Sequence, residues 1–227
     1  MPSTLRGASS VHELAKRLAD AVQLLSSDVR RNIETYGADP TAAIASLDAP
    51  LRRAGMLVAD LRAYAGAQRL VASDTELLPL LRSLADALQR TLDQRIRVET
   101  DVDGACGSIH VDAAALDDAL LRLAANARDA MPDGGRLCLA ACNGQLADGT
   151  PAVEISVIDS GAGMAPEVAE AALEPFSTSK RGNPMSGLGL AAVDGFARQC
   201  GGTLVLHSRP GAGTRVTLKL PVAQAPH

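Results

Sequence analysis

The sequence predicts an α+β protein in two parts, a helical hairpin followed by a two-layer α/β sandwich with a mixed sheet. Over residues 8 to 70, apolar residues recur at alternating intervals of three and four, as in helices that pack along one seam. From about residue 72, runs typical of strands come in adjacent pairs between helical stretches. This arrangement argues against a doubly wound parallel sheet, whose strands alternate singly with helices. We therefore divide the chain into residues 1–70 and 71–227.

The helical part contains two seams separated by the stretch YGADPT. In this stretch Gly37 suits a helix C-cap, Asp39 an N-cap and Pro40 a first helical position. Pro50 interrupts the second seam, so we expect a kink or a later helix start there. One hairpin cannot cover both seams. We therefore expect a homodimer in which two hairpins form a four-helix bundle; the alternative is packing against the second part of the same chain. The seams run through Val11, Ala15, Leu18, Val22, Leu25 and Val29, and through Ile44, Leu47, Leu51, Ala54, Val58, Leu61 and Ala65.

The second part combines pairs of strands with helices. Its first helix lies in DTELLPLLRSLADALQRTL, with Asp74 or Thr75 as the N-cap. Further helices lie in DAAALDDALLRLAANARDAM, MAPEVAEAAL and GLGLAAVDGFARQC. We expect strands in RIRVETDV, GSIHVD, GGRLCLAACNG, PAVEISVID, GTLVLHSR and TRVTLKLP.

The composition is that of a globular chain with few aromatic residues. Apolar residues make up 47% of the 227 residues, Trp is absent, and there are two Phe and two Tyr, so the core must be aliphatic. The net charge of −4 argues against a nucleic-acid-binding protein, which would carry a basic surface. No apolar run is long enough to span a membrane, and MPSTLRGASS lacks the apolar centre of a signal peptide. We therefore expect a soluble, cytoplasmic protein.

The cysteines do not have the spacing of a zinc site. Two of them lie four residues apart in a predicted strand and therefore on one face of it. We interpret all four as small buried thiols. They are Cys106, Cys138, Cys142 and Cys200.

Three stretches of the second part suit a nucleotide site. In VIDSGAGM, Asp159 can accept a hydrogen bond from an exocyclic amine, and Gly161 and Gly163 let a backbone approach a flat ligand closely. In SGLGLAAV, residues 187 to 189 open a helix whose free N–H groups and dipole favour a phosphate. In NARDAMPDGG, Asn126 offers a neutral oxygen that can help to hold Mg²⁺ beside phosphates.

Each stretch also has a purely structural interpretation. DSGAGM could form a simple turn, GLGL a tight loop, and NARDA the polar end of a helix. His12, in SSVHELAKRL, could be one more polar residue on an exposed helix face. The order and spacing of the stretches are more specific than any one of them.

In this order the stretches resemble the N, G1 and G2 boxes of the ATP-binding domain of sensor histidine kinases, Hsp90 chaperones, MutL repair proteins and type II topoisomerases. The resemblance covers roughly the last 150 residues and implies the Bergerat-type fold. EPFSTSK resembles the F box of nitrogen-regulator-type histidine kinases, and NARDAMPDGG is similar to the wording of that subgroup. VHELAKRLADAV is similar to the H box of the dimerisation and phosphoacceptor hairpin of the same kinases.

The resemblance implies that the second part binds ATP and Mg²⁺. Asp159 would hold the adenine, Asn126 would bind the metal, and Lys180 would lie near the phosphates. Residues 177 to 186 would form a flexible lid. The full set of implied nucleotide-binding residues is Asn126, Asp129, Asp159, Gly161, Gly163, Lys180, Gly187, Leu188 and Gly189.

The resemblance also implies a reaction at His12. The nucleotide domain would swing on a linker near residues 68 to 74 until the γ-phosphate meets His12 Nε2. Glu13 would accept a hydrogen bond from the other ring nitrogen or remove its proton. Catalysis would rest mainly on positioning and on charge neutralisation by the metal. The phosphoryl group would then pass to an aspartate of a response regulator receiver domain docked on the hairpin.

Several residues depart from the family pattern. Arg122 stands four residues before Asn126, where the hydrolytic relatives carry a glutamate that activates water. An arginine stays protonated and cannot act as a general base. Met185 replaces the usual first glycine of the G2 box. Lys16 lies four residues after His12, where kinases with phosphatase activity often carry Asn or Thr, so we expect weak or absent phosphatase activity.

Three functions are consistent with these observations. The first is an ATP-dependent protein-histidine kinase core that autophosphorylates on His12. The second is a phosphotransfer or scaffold dimer with a vestigial nucleotide domain, and the third is a hydrolytic ATPase of the chaperone or repair class. Eleven residues precede His12 and no receiver domain follows. We therefore expect the signal to come from the sensor region of a longer kinase or from a separate sensor protein.

Overall fold

The computed structural model describes residues 69–104, 106, 108–174 and 188–222, together with scattered residues between 23 and 35. The described residues between 23 and 35 are helical, in agreement with the first predicted helix. Most of the predicted hairpin, with every seam residue except Val29, lies outside the described residues. The hairpin and its dimer seam stay predictions.

From residue 69 onward, the described part of the chain folds into seven strands and four helices. In chain order they are β1 (Ser73–Glu76), α1 (Leu77–Thr91), β2 (Ile96–Val102), β3 (Ser108–Val111), α2 (Ala113–Ala130), β4 (Gly135–Gln145), β5 (Pro151–Asp159), α3 (Pro166–Ala171), α4 (Gly189–Gln199), β6 (Thr203–Arg209) and β7 (Gly213–Pro221).

The main sheet is mixed, as the paired strands of the sequence predict. Its five strands lie in the order β2-β4-β5-β7-β6. The β2 and β4 strands are parallel, and every other neighbouring pair is antiparallel. A separate antiparallel pair joins β1 to β3. The predicted fold class, an α+β sandwich with a mixed sheet, is confirmed for this part of the chain.

One layer of helices covers one face of the main sheet. Leu88 of α1, Leu120 of α2 and Phe196 of α4 are buried in the same core as Leu139 of β4 and Ile155 of β5. Each large aliphatic side chain buried in this way contributes about 2 kcal/mol to folding. No helix among the described residues is long and apolar enough to cross a membrane.

The opposite face of the sheet is polar. Ser156 and Thr217 share a hydrogen bond of 2.8 Å across β5 and β7, and Lys219 forms an ion pair of 2.6 Å with Glu154. Cys142 points to this side and is exposed. The interpretation of all four cysteines as buried thiols is therefore wrong, because Cys142 is exposed and Cys106, Cys138 and Cys200 are only partly buried. Cys138 and Cys142 lie at the parity of β4 that faces away from the helices.

The start of α1 also differs from the prediction. Asp74 and Thr75 lie in β1, and α1 begins at Leu77 with Glu76 in the N-cap position. Asp74 and Thr75 pair with His110 and Ile109 of β3. The local preference of Asp and Thr for helix N-caps is overridden because pairing with β3 draws this segment into a strand.

Candidate functional site

Asp159 is the last residue of β5, a central strand of the main sheet. Its side chain is 9% exposed. Oδ1 accepts hydrogen bonds from the backbone N–H of Gly161 at 2.8 Å and of Thr214 at 3.2 Å. Burial raises the pKa of this carboxyl above its ordinary value, and the two N–H donors oppose the shift. Both donors bond Oδ1, and no described residue donates to Oδ2. Oδ2 can therefore accept a hydrogen bond from a ligand.

The loop after Asp159 is tied to elements on both sides. Ala162 donates its backbone N–H to the carbonyl of Ala130, at the end of α2, at 3.0 Å. The carbonyl of Ala162 accepts from Gly211, in the turn between β6 and β7, at 2.7 Å. Met164 N–H donates to Ser208 Oγ at 2.8 Å. These contacts hold the loop between the end of α2 and the β6–β7 turn.

The two glycines of this loop are required by the packing of the protein itself. A Cβ atom at Gly161 would lie 2.6 Å from the carbonyl oxygen of Ala130. Gly163 has φ +64°, and a Cβ atom there would overlap the carbonyl oxygen of Arg209. We expected these glycines to let a ligand approach, whereas the contacts in the structure are with neighbouring backbone.

Asn126 lies on α2 one turn before Ala130, a rise of about 6 Å along the helix. Its side chain is exposed and lies beside the first residue of α4. A methyl group added at Gly189 would be 3.7 Å from Asn126 Nδ2 and 3.9 Å from Oδ1. The first N–H groups of a helix have no partner within it and carry partial positive charge. The amide of Asn126 and the N-terminus of α4 at Gly189 therefore lie side by side, one turn of α2 from the loop after Asp159. We call this position the corner of α2 and α4.

The α2 and α4 helices run antiparallel from this corner. Arg122, one turn before Asn126, lies in a groove with Ala192, Val193 and Phe196 of α4. Its Nη2 atom is 2.8 Å from Asp118 Oδ2. The arginine is thus paired with a carboxylate of its own helix, at the position where the resemblance implies a glutamate in hydrolytic relatives.

Asp129 lies on the last turn of α2. Its Oδ1 accepts a hydrogen bond of 2.7 Å from Nη2 of Arg128. The carboxylate is partly exposed, with 30% of the side chain accessible. Among the described residues no group of three or more His, Cys, Asp and Glu side chains converges on a metal position. A metal ion at this position would be coordinated by Asn126 Oδ1 and by oxygen atoms of a small molecule bound beside it.

The structure brings together part of the predicted site. Asn126, Asp159, Gly161 and Gly189 lie around the end of α2, and Leu188 is buried immediately before α4. Four predicted site residues lie outside the described residues: His12, Glu13, Lys180 and Gly187.

Thr214 was missed by the sequence analysis. It stands opposite Asp159 in the register of β5 and β7, is 8% exposed, and bonds the Asp159 carboxylate through its N–H. Its Oγ1 is 2.9 Å from Ser208 Oγ. The sequence signal is the Gly-Thr pair that opens β7, but only the strand order shows that it faces Asp159.

Residues 111–224 match the family described as histidine kinase-, DNA gyrase B-, and HSP90-like ATPase. The chain belongs to this family. It therefore carries the family's ATP-binding domain, and the predicted recognition of that domain is confirmed. The finer assignment to a nitrogen-regulator subgroup stays a prediction.

Relatives and solved structures agree with this membership. The sensor kinase CckA of Brucella abortus is 32% identical over 179 residues, which are 74% of this chain and 19% of CckA. The chain thus spans about a fifth of the length of that relative. The solved structure of the histidine kinase AdeS of Acinetobacter baumannii has the same fold, with a TM-score of 0.67, 20% identity and coverage of 91% of this chain and 98% of the solved AdeS chain. The histidine kinase ThkA, in complex with the response regulator TrrA, gives a TM-score of 0.62 at 19% identity, with coverage of 93% of this chain and 64% of that one.

Proposed function

We propose that this chain is the core of a protein-histidine kinase, which transfers the γ-phosphoryl group of ATP to His12 and then to an aspartate of a response regulator. The observation that carries the proposal is the corner at the end of α2. There the backbone places three groups next to one another: the buried carboxylate of Asp159, the exposed amide of Asn126 and the N-terminus of α4. Membership of the ATPase family and the sensor-kinase relatives support the same activity.

Adenine recognition is assigned to Asp159. A carboxylate can accept a hydrogen bond from the exocyclic amine of adenine through Oδ2, while Oδ1 stays bonded to Gly161 and Thr214. Because both N–H donors belong to the backbone of tied segments, the carboxylate is oriented before the ligand arrives. Gly161 and Gly163 contribute by allowing the loop to pack closely enough for this geometry.

The phosphates and the metal are assigned to the corner of α2 and α4. The N–H groups at Leu188 and Gly189, with Gly187 and Lys180, would receive the phosphate oxygens. Asn126 would supply a Mg²⁺ ligand next to them, and Asp129, on the same turn of α2 as the loop contact, offers a further acceptor. Bound Mg²⁺ would neutralise the charge that develops on the transferred phosphoryl group.

His12 and Glu13 are proposed as the acceptor and its activating residue. Glu13 would orient the imidazole so that the lone pair of Nε2 faces the phosphoryl group. The predicted hairpin would provide the homodimer interface and the docking surface for a receiver domain. The ThkA complex with a response regulator supports that class of partner. A separate sensor protein, or a sensor region of a longer chain, would supply the signal.

Arg122 distinguishes this proposal from hydrolysis. The hydrolytic class needs a carboxylate one turn before Asn126 to activate water, and this position holds an arginine paired with Asp118. The presence of Arg122 and Met185 at these positions favours one alternative function. In that alternative, the nucleotide domain is vestigial and the hairpin only relays phosphate or acts as a scaffold for phosphotransfer.

The test is phosphoryl transfer from γ-labelled ATP in the presence of Mg²⁺. We expect label on the protein that survives alkali and is lost in acid, as a P–N bond requires. The variants His12→Ala and Asn126→Ala should both lose it, whereas Asp86→Ser, an exposed change on α1, should retain it. ATP binding without any labelling would favour the vestigial alternative. Release of inorganic phosphate at the same rate from His12→Ala would indicate a hydrolytic ATPase.

A further inference from the structure

We propose that Asp112 is a positioning residue that fixes where the interdomain linker leaves the nucleotide domain. The inference rests on the proposed function, since a fixed exit point matters only if the domain must reach a second site. Asp112 is the N-cap of α2 and lies between β3 and that helix. It touches no part of the candidate nucleotide site.

The two oxygens of the Asp112 carboxylate bond two different elements. Oδ1 accepts from the N–H of Ala115 at 3.0 Å, which caps α2. Oδ2 accepts from the N–H of Val71 at 2.8 Å, across 41 residues of sequence. A helix cap needs only the first bond, so the second is an additional function of the same carboxylate. These two bonds, that from Val71 first, lower the pKa of Asp112 below its ordinary value.

The bond to Val71 is not a by-product of burial. Val71 is 73% exposed, so its side chain contributes little packing that would hold the backbone in place. The neighbouring segment is held in other ways. Leu70 packs against the core, and Ser73–Glu76 forms β1 on β3. Asp112 therefore ties down the residue that lies between two anchored positions.

A second polar contact strengthens the same junction. Asp74 Oδ1 is 2.9 Å from Nδ1 of His110, on the strand that leads into Asp112. With these contacts the chain is fixed to the domain from Leu70 onward. The pivot predicted near residues 68 to 74 must therefore lie at or before Arg69, because residues 70 to 74 are bound to β3, α2 and the core.

The exit point and the nucleotide corner are attached to one rigid element. Asp112 caps the first turn of α2 and Asn126 lies 14 residues further along, a rise of about 21 Å. Fixing Val71 to the cap therefore fixes the origin of the linker relative to Asn126. Releasing it would leave the segment before β1 held only by the packing of the half-buried Leu70, and this looser exit point would reduce the fraction of domain orientations that bring nucleotide and acceptor together.

Three variants of the full chain separate the tie from the cap. Asp112→Ser retains a good N-cap oxygen but is too short to reach Val71 as well. Asp112→Ala loses both functions, and Asp86→Ser controls for loss of an exposed acid. We expect the Val71 amide to exchange its hydrogen about tenfold faster in Asp112→Ser than in the parent protein or in Asp86→Ser. In Asp112→Ser, the KM for ATP should stay unchanged while the kcat of autophosphorylation falls about threefold.

Three results would overturn the inference. The first is exchange of the Val71 amide in Asp112→Ser at the parent rate. The second is faster exchange with kcat unchanged, and the third is faster exchange with KM and kcat altered together, as in Asp112→Ala. Either of the last two would make Asp112 a structural cap only. If the parent protein takes up no label at all, the proposed function fails, and the positioning role fails with it. The exchange measurement would still report whether the tie exists.

Discussion

The carboxylate of Asp159, at the end of β5, accepts a hydrogen bond of 3.2 Å from the backbone N–H of Thr214, 55 residues further along the chain. This contact joins the end of β5, where Asp159 lies, to the start of β7. It explains how a carboxylate with only 9% exposure stays in one orientation. The same carboxylate carries a desolvation cost, from which the first prediction follows.

Asp159→Asn should not reduce the stability of the ligand-free protein at neutral pH. Burial raises the pKa of Asp159, so ionisation destabilises the folded state, and this penalty appears as pH rises through the raised pKa. Asparagine keeps an acceptor for Gly161 and Thr214 without a charge. Urea unfolding at neutral pH should give an equal or higher free energy of unfolding for the variant. The difference should disappear below about pH 3.8, the ordinary pKa of the group. A clear loss of stability at neutral pH would show that the charge itself holds the loop.

Gly163→Ala should destabilise the protein even without a ligand. The backbone at Gly163 has φ +64°, and a methyl group there would overlap the carbonyl of Arg209. We expect a loss of about 3 kcal/mol or more in the free energy of unfolding. The matched control is Gly149→Ala, at φ +85° with no atom within 4 Å of the added methyl group, which should lose only about 1 kcal/mol. Equal losses would mean that the contact with Arg209 contributes nothing.

Gly189→Ala should separate stability from nucleotide binding. The added methyl group would meet Asn126 at ordinary contact distances of 3.7 and 3.9 Å, and alanine is the better helix former. The free energy of unfolding should therefore be unchanged or higher. Affinity for Mg-ATP should fall about tenfold, because the methyl group occupies the space between the amide and the helix N-terminus. Parent-like affinity in calorimetry would exclude this corner as the phosphate site.

The cysteines should differ widely in their reactivity toward iodoacetamide. Cys142 is exposed, whereas burial raises the pKa of Cys200 to about 11. Because the thiolate is the nucleophile, Cys142 should be alkylated more than tenfold faster at about pH 8. Mass spectrometry of the labelled peptides measures the order directly. Faster labelling of Cys200 would show that the packing of α4 against the sheet is looser than the structure indicates.

The sequence allowed the main elements and the order of the motifs to be predicted, because strands with a period of two and amphipathic helices are local signals. It did not allow the start of α1 to be predicted, since Asp74 and Thr75 resemble a helix cap until β3 pairs with them. It also missed Thr214, which meets Asp159 only because β5 and β7 are neighbours in the sheet.

The roles of the glycines illustrate the same limit. DSGAGM identifies a turn, but Ala130 and Arg209, which require glycine at positions 161 and 163, come from other parts of the chain. His12, most of its hairpin and the predicted lid lie outside the described residues, so the predictions for them stay predictions.

Recognition of adenine by Asp159 comes before every other proposed step, because each later step uses the bound nucleotide. The most direct test is calorimetry of the Mg²⁺ complexes of ATP and of inosine triphosphate, in which a carbonyl oxygen replaces the exocyclic amine. The parent protein should bind ATP at least about tenfold more tightly than inosine triphosphate. With inosine triphosphate, Asp159 loses a hydrogen bond to its charged carboxylate, and the carbonyl oxygen of the base faces that carboxylate as a second acceptor. In Asp159→Asn, ATP should bind more weakly and the preference should shrink. Equal binding of both nucleotides by the parent protein, or an unchanged preference in Asp159→Asn, would contradict the claim.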